Sequence, residues 1–316
     1  MPPPSSTNSS FDSGGQYAFD ATSLDLAQAC LRKYYYRMVE NLVPKRQSVH
    51  LIFGGMYAKS LETFYKLRAA GMTTDDALRH VVRAALIASW DHERDEANNR
   101  IPNTGQPVRF EDDKKTRVSL IRTIIWYIEE FSDESKGGPT TYHLQDGTPA
   151  VELSFSLEFG PYVYSGHLDR VVEHNGLYWM DQKTTGGNIS PYFFDNFTPG
   201  NQFSGYTWAG QIILKSPVRA GIVDAAQIGT NFTRFERGII TRTADMLDEW
   251  QESALYTIER AREAYATQLW PMNTTACSMY GGCPYRGVCS RAPSVRQNYL
   301  AGDYAKTKPW SPIESR

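Results

Sequence analysis

Two aspartates and a lysine near the middle of the chain have the residue types and spacing of a hydrolytic metal site. Asp181 and Lys183 are two residues apart in a run that reads as a β-strand, so both side chains are expected on one face of a sheet. Asp169 lies on what reads as the preceding strand. Two carboxylates can hold a divalent metal ion, while an ammonium orients water and stabilises developing negative charge. This combination suits phosphodiester hydrolysis.

The turn between these two strands decides whether Asp169 joins the same face. A two-residue turn at Asn175-Gly176 would send the Asp169 and Asp181 side chains to opposite faces. A three-residue loop that ends in a left-handed Gly176 would instead place the two aspartates opposite each other. Carboxylates about 5 Å apart repel unless a cation lies between them, so this second register predicts a metal site. The alternative is an exposed hairpin with ordinary surface charges.

A helical pattern over residues 201–215 follows the strands and adds an amide and a phenol. Gln202 and Tyr206 are four residues apart, which places them on one face of the helix. These groups suit contacts to a phosphate or a base. A helix flank that packs Tyr206 into the core is an equally good interpretation.

The cysteines form a second candidate site. Cys277, Cys283 and Cys289 lie in a segment with glycines and a proline that reads as a loop, and Cys30 lies in an early helical pattern. The first residues show no secretion signal, so a reducing compartment is expected and disulfides are disfavoured. Four thiolates can hold zinc or an iron–sulfur cluster, and the five-residue gaps favour the cluster over a zinc ribbon. Unrelated buried thiols are the alternative.

Hydrophobic periodicity predicts the elements that position these residues. Ser23 and Thr74 are the predicted N-caps of the first and third helices. The predicted helices cover residues 23–40, 51–69, 74–92, 112–133, 201–215 and 243–269. The predicted strands cover residues 151–158, 162–173, 177–184, 220–228 and 231–240. This order predicts a single α/β domain with a helical N-terminal extension.

Composition and charge narrow the class of protein. The 316 residues are 41% hydrophobic and 22% charged, which excludes a disordered, collagen-like or coiled-coil chain as a whole. No run approaches the ~18 apolar residues of a membrane helix, so a cytoplasmic protein is expected. Because the net charge is only −2, any contact with nucleic acid must be a local patch.

Basic residues next to aromatic ones are the candidates for such a patch, because bases of a single strand stack on rings. These residues are Arg32, Lys33, Arg37, Arg234 and Arg237. The alternative is that the neighbouring tyrosines belong to the core and the charges form a solvated face.

Together these motifs resemble the RecB-like branch of the PD-(D/E)XK nuclease superfamily. The resemblance rests on Asp169, on Asp181-x-Lys183 and on Gln202-x-x-x-Tyr206. The cysteines are similar to those of iron–sulfur members: AddB-type helicase-nucleases, CRISPR-associated nucleases and phage exonucleases. In these, one N-terminal and three C-terminal cysteines hold a [4Fe–4S] cluster. The Cys-Leu-Arg-Lys-Tyr-Tyr stretch that begins at Cys30 is similar to the family's Cys-Pro-Arg-Lys-Tyr-Tyr.

The resemblance implies a restriction-endonuclease-like core, a mixed central sheet flanked by helices. It would form one nuclease domain over residues 21–292, and no helicase motor fits in this length. The implied parts are a helical part at 21–135, a catalytic core at 150–240, a C-terminal helix and cluster loop at 243–292, a disordered tail at 1–20 and a further tail at 293–316.

The resemblance also implies roles for matching residues. Asp169, Asp181 and the Gln182 carbonyl would hold Mg²⁺ or Mn²⁺, and Lys183 would be catalytic. Gln202 and Tyr206 would line the DNA path. The cluster ligands would be Cys30, Cys277, Cys283 and Cys289. Zinc is the lesser alternative to the cluster.

One family feature is missing. Ala58 stands at the position of a metal-binding histidine that the family often carries in an early helix. Either Glu62, one turn later, is the substitute, or the site holds its metal with fewer protein ligands.

The expected function is a metal-dependent DNA exonuclease that acts on single strands or DNA ends. The setting would be phage-type recombination, repair or replication in a bacterial or phage-infected cell, with a helicase or recombination protein as a candidate partner. The rival hypotheses are a catalytically inactive nucleic-acid-binding protein of the same fold and a zinc-stapled interaction protein.

Overall fold

The computed structural model describes residues 10–46, 48–93, 101, 104–110, 112–133, 136–279 and 282–312. Its helices are α1 (Ala21–Ala29), α2 (Leu31–Tyr34), α3 (Val49–Ala69), α4 (Thr74–Ala88), α5 (Arg117–Phe131), α6 (Pro191–Asp195), α7 (Asn201–Leu214), α8 (Ala244–Thr267), α9 (Arg286–Cys289) and α10 (Arg296–Asp303). Its strands are β1 (Phe11–Asp12), β2 (Gly15–Gln16), β3 (Ala18–Phe19), β4 (Leu42–Pro44), β5 (Trp90–Asp91), β6 (Gln106–Pro107), β7 (Thr140–Thr141), β8 (Val151–Phe159), β9 (Tyr162–Glu173), β10 (Leu177–Thr185), β11 (Val218–Ile228), β12 (Thr233–Ile240) and β13 (Tyr304–Lys306). No helix in the described ranges is long and apolar enough to cross a membrane.

A central mixed sheet carries the candidate catalytic residues. Its strand order is β12-β11-β10-β9-β3, with β7 and β8 also paired to β9. The central pair β10–β11 is parallel, with helix α7 in the connection between the two strands, whereas β9–β10 and β11–β12 are antiparallel. The predicted mixed α/β fold is therefore confirmed.

Helices cover both faces of this sheet. On one face, Trp179 and Phe203 belong to a core that also takes in residues of α1 and α8. On the other face, Phe53 of α3 and Ile124 of α5 pack with residues of β11 in a second core. Strand β11 is buried along almost its whole length, as expected for a strand covered on both faces.

The β9–β10 hairpin has the register that brings the two aspartates together. Glu173 faces Leu177, which is the pairing of a three-residue loop, so this register is confirmed. Gly176 has the positive φ that this loop predicts, 137°, and Asn175 also has a positive φ, 53°. Asparagine tolerates the left-handed region because its short side chain can form local hydrogen bonds.

The first predicted helix is interrupted at Cys30. This residue has extended backbone angles, φ −168° and ψ 116°, between α1 and α2. The helix also begins earlier than predicted, because Asp20 is its N-cap and Ser23 completes a reciprocal capping box. The predicted Ser23 cap was therefore wrong.

Two other details of the predicted helices also differ from the structure. Thr73 rather than Thr74 caps α4, since the Thr73 side chain accepts the Asp76 backbone N–H. Val118, which the pattern places inward, is 75% exposed.

The predicted tails are partly ordered elements. Ala18 and Phe19 are fully buried and form β3 at the edge of the central sheet. Near the other end, β13 pairs with β4. Strands of two or three residues are too short to show a periodic pattern, which is why the sequence did not reveal them. Residues 1–9 and 313–316 of the predicted tails lie outside the described residues.

Candidate active site

The candidate catalytic carboxylates lie where two strands separate. The β9–β10 ladder ends at the pair Arg170 and Met180. Continued by one residue, the same register places Asp169 opposite Asp181. Asp181 is 1% exposed and Asp169 is half-buried. The end of the ladder therefore sets two carboxylates beside each other at the mouth of a gap between the strands.

A hydrogen-bonded chain joins Asp181, Lys183 and helix α7. Gln202 Nε2 donates to Asp181 Oδ1 over 3.0 Å, and Lys183 Nζ donates to Gln202 Oε1 over 3.2 Å. Lys183 Nζ also forms an ion pair with Asp181 Oδ2. Gln202 Nε2 lies 3.2 Å from the Tyr206 hydroxyl oxygen. Gln202, predicted as a DNA contact, thus uses both ends of its amide to hold the carboxylate and the lysine.

The electrostatic potential around Asp169 and Asp181 is negative. Burial, and next the charge of Asp181, hold the pKa of Asp169 well above its usual range; Lys183 opposes the shift and Glu152 adds to it. Burial, followed by the charges of Asp169 and Asp181, also raises the pKa of Tyr206. A cation at this place would relieve the repulsion between the carboxylates.

The donor atoms suit a hard divalent cation. Asp181 Oδ2 is buried and, among the described residues, has no hydrogen bond of acceptable geometry, although the Lys183 ammonium lies close enough for an ion pair. Two carboxylates and the Gln182 carbonyl form an all-oxygen set, and Mg²⁺ is commonly bound through one or two carboxylates. No three His, Cys, Asp or Glu side chains in the described ranges are already grouped to hold a metal ion.

Glu62, the predicted substitute ligand, is engaged elsewhere. Its Oε1 lies 2.7 Å from Lys59 Nζ and 2.8 Å from Lys66 Nζ on the same helix. Burial favours a higher pKa for Glu62, but the hydrogen bonds from Lys59 and Lys66 lower it below its usual value. Two lysines of α3 therefore hold the Glu62 carboxylate by ion pairs.

A different carboxylate near Asp169 was not among the predicted site residues. Strands β8 and β9 pair Val151 with Arg170 and Leu153 with Leu168, which places Glu152 across from Asp169. In the sequence Glu152 is only the polar partner in an alternating strand, so nothing in its local pattern indicated a role.

The basic residues predicted to contact DNA differ in the groups that their side chains contact. The Arg237 guanidinium lies 3.1 Å from the buried Asp224 and 3.8 Å from the Phe131 ring centroid, which favours a structural role. Arg32 donates to the Trp270 carbonyl, and Arg234 donates to the Ile189 carbonyl. Arg37 stacks over Trp310 at 5.2 Å, and Lys33 lines the cavity of the cysteines.

A groove of about 560 Å³ opens beside the C-terminal end of β10. The Lys115 side chain, on a residue only 2% exposed, reaches the Thr184 hydroxyl over 3.3 Å, and Lys114 donates to the Gly186 carbonyl over 2.6 Å. In the sequence these lysines follow two aspartates and read as mixed surface charge. The residues that line the groove are His50, Asp112, Asp113, Lys114, Lys115, Thr184, Thr185, Gly186 and Gly187.

The four cysteines meet around one cavity. Cys30, Cys277, Cys283 and Cys289 all line it, and none forms a disulfide. The extended backbone at Cys30 brings its Sγ to 3.3 Å from the Asn273 backbone nitrogen, next to the C-terminal loop. Burial raises the pKa of the Cys289 thiol, against the effect of Arg32. Residues 280–281 of this loop lie outside the described residues.

The family model of the PD-(D/E)XK nuclease superfamily matches residues 18–290. The chain belongs to this superfamily. The match takes in both strands of the aspartate hairpin, helix α7 and all four cysteines, and the family implies a nucleic-acid substrate. A search of curated proteins finds no match.

The solved structures that are similar to this PD-(D/E)XK chain include the following two. One is described as "Putative exonuclease" from Eubacterium rectale; it is 10% identical over 83% of this chain and 86% of the other, with a TM-score of 0.48. The second is SSO0001, which is 15% identical over 45% of this chain and 60% of the other, with a TM-score of 0.29.

Proposed function

We propose that this member of the superfamily is a metal-dependent DNA exonuclease of the RecB-like branch. The observation that carries the proposal is the convergence of Asp169, Asp181 and Lys183 where β9 and β10 separate. Lys183 lies within the Gln202 network, so the lysine and the carboxylate keep a fixed relation to each other. Action on single strands or ends, in phage-type recombination or repair, rests on the motif resemblance.

The residues of the site have separate roles in the proposed hydrolysis. Asp169, Asp181 and the Gln182 carbonyl would hold Mg²⁺ or Mn²⁺, which when bound polarises a phosphate and makes water more acidic. The Lys183 ammonium orients the attacking water and stabilises charge that develops on the phosphate oxygens. Gln202 keeps the Lys183 side chain against the carboxylate, so little reorganisation is needed when substrate arrives.

The groove at the end of β10 supports a path for the DNA backbone. Lys114 and Lys115 place two ammonium groups next to the strand that carries Lys183. Asp112 and Asp113 also line this groove, so its charge is mixed. The net charge of −2 requires such a local arrangement, because the whole molecule does not attract a polyanion.

A structural [4Fe–4S] cluster on the four cysteines is part of the proposal. All four thiols line one cavity, which suits a group that ties both ends of the chain together. In a cubane cluster each thiolate binds a different iron, whereas zinc draws all four around one ion. No trio of His, Cys, Asp or Glu side chains in the described residues is grouped for a metal ion, so the choice of cluster over zinc rests on the cysteine spacing and the motif resemblance.

The test of this function is the Lys183→Ala variant. We expect the unmodified protein to degrade DNA with Mg²⁺ or Mn²⁺, and the variant to lose on the order of 10²-fold or more in rate, because a positioned charge-stabilising group is removed. The assay follows 5′- and 3′-labelled single and double strands with each metal, and circular dichroism checks the fold.

Lys306→Ala is the matched control, because Lys306 is an exposed lysine on β13. Equal cleavage by Lys183→Ala and the unmodified protein would contradict the mechanism. DNA binding without any cleavage by the unmodified protein would favour the inactive binding protein instead.

A further inference from the structure

Three acidic residues lie in a row across three neighbouring strands. The β8–β9 register places Glu152 across from Asp169, between the pairs Val151–Arg170 and Leu153–Leu168. The β9–β10 register places Asp181 across from Asp169 on the other side. The two registers therefore place an acidic residue on the strand to each side of Asp169.

The backbone of Glu152 is unusual for its position. It has φ of 53° inside strand β8, in the left-handed region that favours glycine. The other non-glycine residues with positive φ in the described ranges are Asn41 before β4, Asn175 in the hairpin turn, and Lys215 and Gln268 at the C-terminal ends of α7 and α8. Such a conformation is costly and recurs at functional sites, where the surrounding structure maintains it. At Glu152 it interrupts the ladder directly beside Asp169.

The two positions on α3 that could supply a third ligand are either without a donor atom or paired with lysines. Ala58 carries no donor atom at the position of the family histidine. Glu62 is held by Lys59 and Lys66 on α3. The charge of Glu152 acts on Asp169, which lies across from it, and the buried Asp181 Oδ2 forms an ion pair with Lys183.

We propose that Glu152 is the third cation-binding carboxylate of this site. It replaces, from the opposite strand, the ligand that α3 lacks at Ala58. Because the acidic side chains of the described residues are not already grouped around one point, binding of Mg²⁺ or Mn²⁺ would draw the Glu152 carboxylate toward Asp169. The proposal rests on the proposed metal-dependent function and names a ligand for it.

The test measures Mn²⁺ binding directly by calorimetry, without substrate. Glu152→Gln keeps the size of the side chain and removes its charge, and we expect about a tenfold or greater loss of Mn²⁺ affinity. Asp169→Asn should lose at least as much. Glu158→Gln is the matched control, since Glu158 is an exposed residue on the same strand, and its affinity should equal that of the unmodified protein.

Glu152→Gly separates a loss of Mn²⁺ affinity from a folding defect, because glycine adopts this backbone conformation without strain. We expect it to melt no lower than Glu152→Gln and to lose Mn²⁺ affinity to the same extent. Unchanged affinity in both Glu152 variants, with a loss in Asp169→Asn or Glu62→Gln, would overturn the assignment of Glu152 alone. Absence of Mn²⁺ binding by the unmodified protein would overturn the metal-dependent function and this ligand with it.

Discussion

At the scale of single residues, the carboxylates of Asp169 and Asp181 repel each other, and a bound cation would relieve this repulsion. Asp169 lies opposite Asp181 where the strands separate, and Gln202 and Lys183 both hold Asp181. Removing the negative charge of Asp169 should therefore stabilise the metal-free fold while it abolishes function, which is a common trade-off at active sites.

This trade-off has a defined dependence on pH. The folded-state pKa of Asp169 is raised, chiefly by burial, so the native protein holds that proton more tightly than the unfolded chain does. Its contribution to stability is present at low pH and is lost as the pH rises through the folded pKa. In EDTA, Asp169→Asn should have a higher melting temperature than the unmodified protein at pH 8, and the difference should shrink toward pH 5. A difference that grows as the pH falls would reject this account.

At the scale of elements, the position of Gln202 depends on how closely α7 approaches the sheet. A Cβ at Gly205 would overlap the Tyr164 hydroxyl oxygen, and Tyr164 is itself buried. Gly205→Ala should lower the free energy of unfolding by about 1–3 kcal/mol, because a packed core does not accept the extra methyl group. Urea unfolding followed by circular dichroism measures this change.

The matched control for that helix glycine is Gly55→Ala on α3. Nothing lies within 4 Å of a Cβ at Gly55, so alanine there should raise the free energy of unfolding by about 1 kcal/mol through its helix propensity. Equal effects of the two substitutions would mean that α7 does not need a glycine against Tyr164.

At the scale of the whole molecule, the cysteines connect the start of the described chain with its end. Cys283→Ser should remove the absorbance near ~400 nm that an iron–sulfur cluster gives and should lower the melting temperature, because a staple across the fold is lost. Ser278→Ala, an exposed change in the same loop, should leave both unchanged. A colourless unmodified protein that contains zinc would refute the cluster.

Much of the candidate site was predictable from local patterns. The alternation around Asp169 and the Asp181-x-Lys183 spacing indicated strands with inward carboxylates, and the three-residue loop predicted the register that the structure confirms. The spacing of Gln202 and Tyr206 placed them on one helix face. Their roles in catalysis and DNA contact stay predictions.

Other features depended on contacts between distant parts of the chain. The sequence by itself determined the sheet strands and the superfamily motifs and limited the hairpin to two registers, because periodicity and turn length act between near neighbours. Only the tertiary structure decided that helix 23–40 breaks at Cys30, that Gln202 bridges Asp181 and Lys183, and that Glu152 lies across from Asp169. These depend on which strands and helices become neighbours, and the burial of the whole core, rather than any local pattern, selects that arrangement.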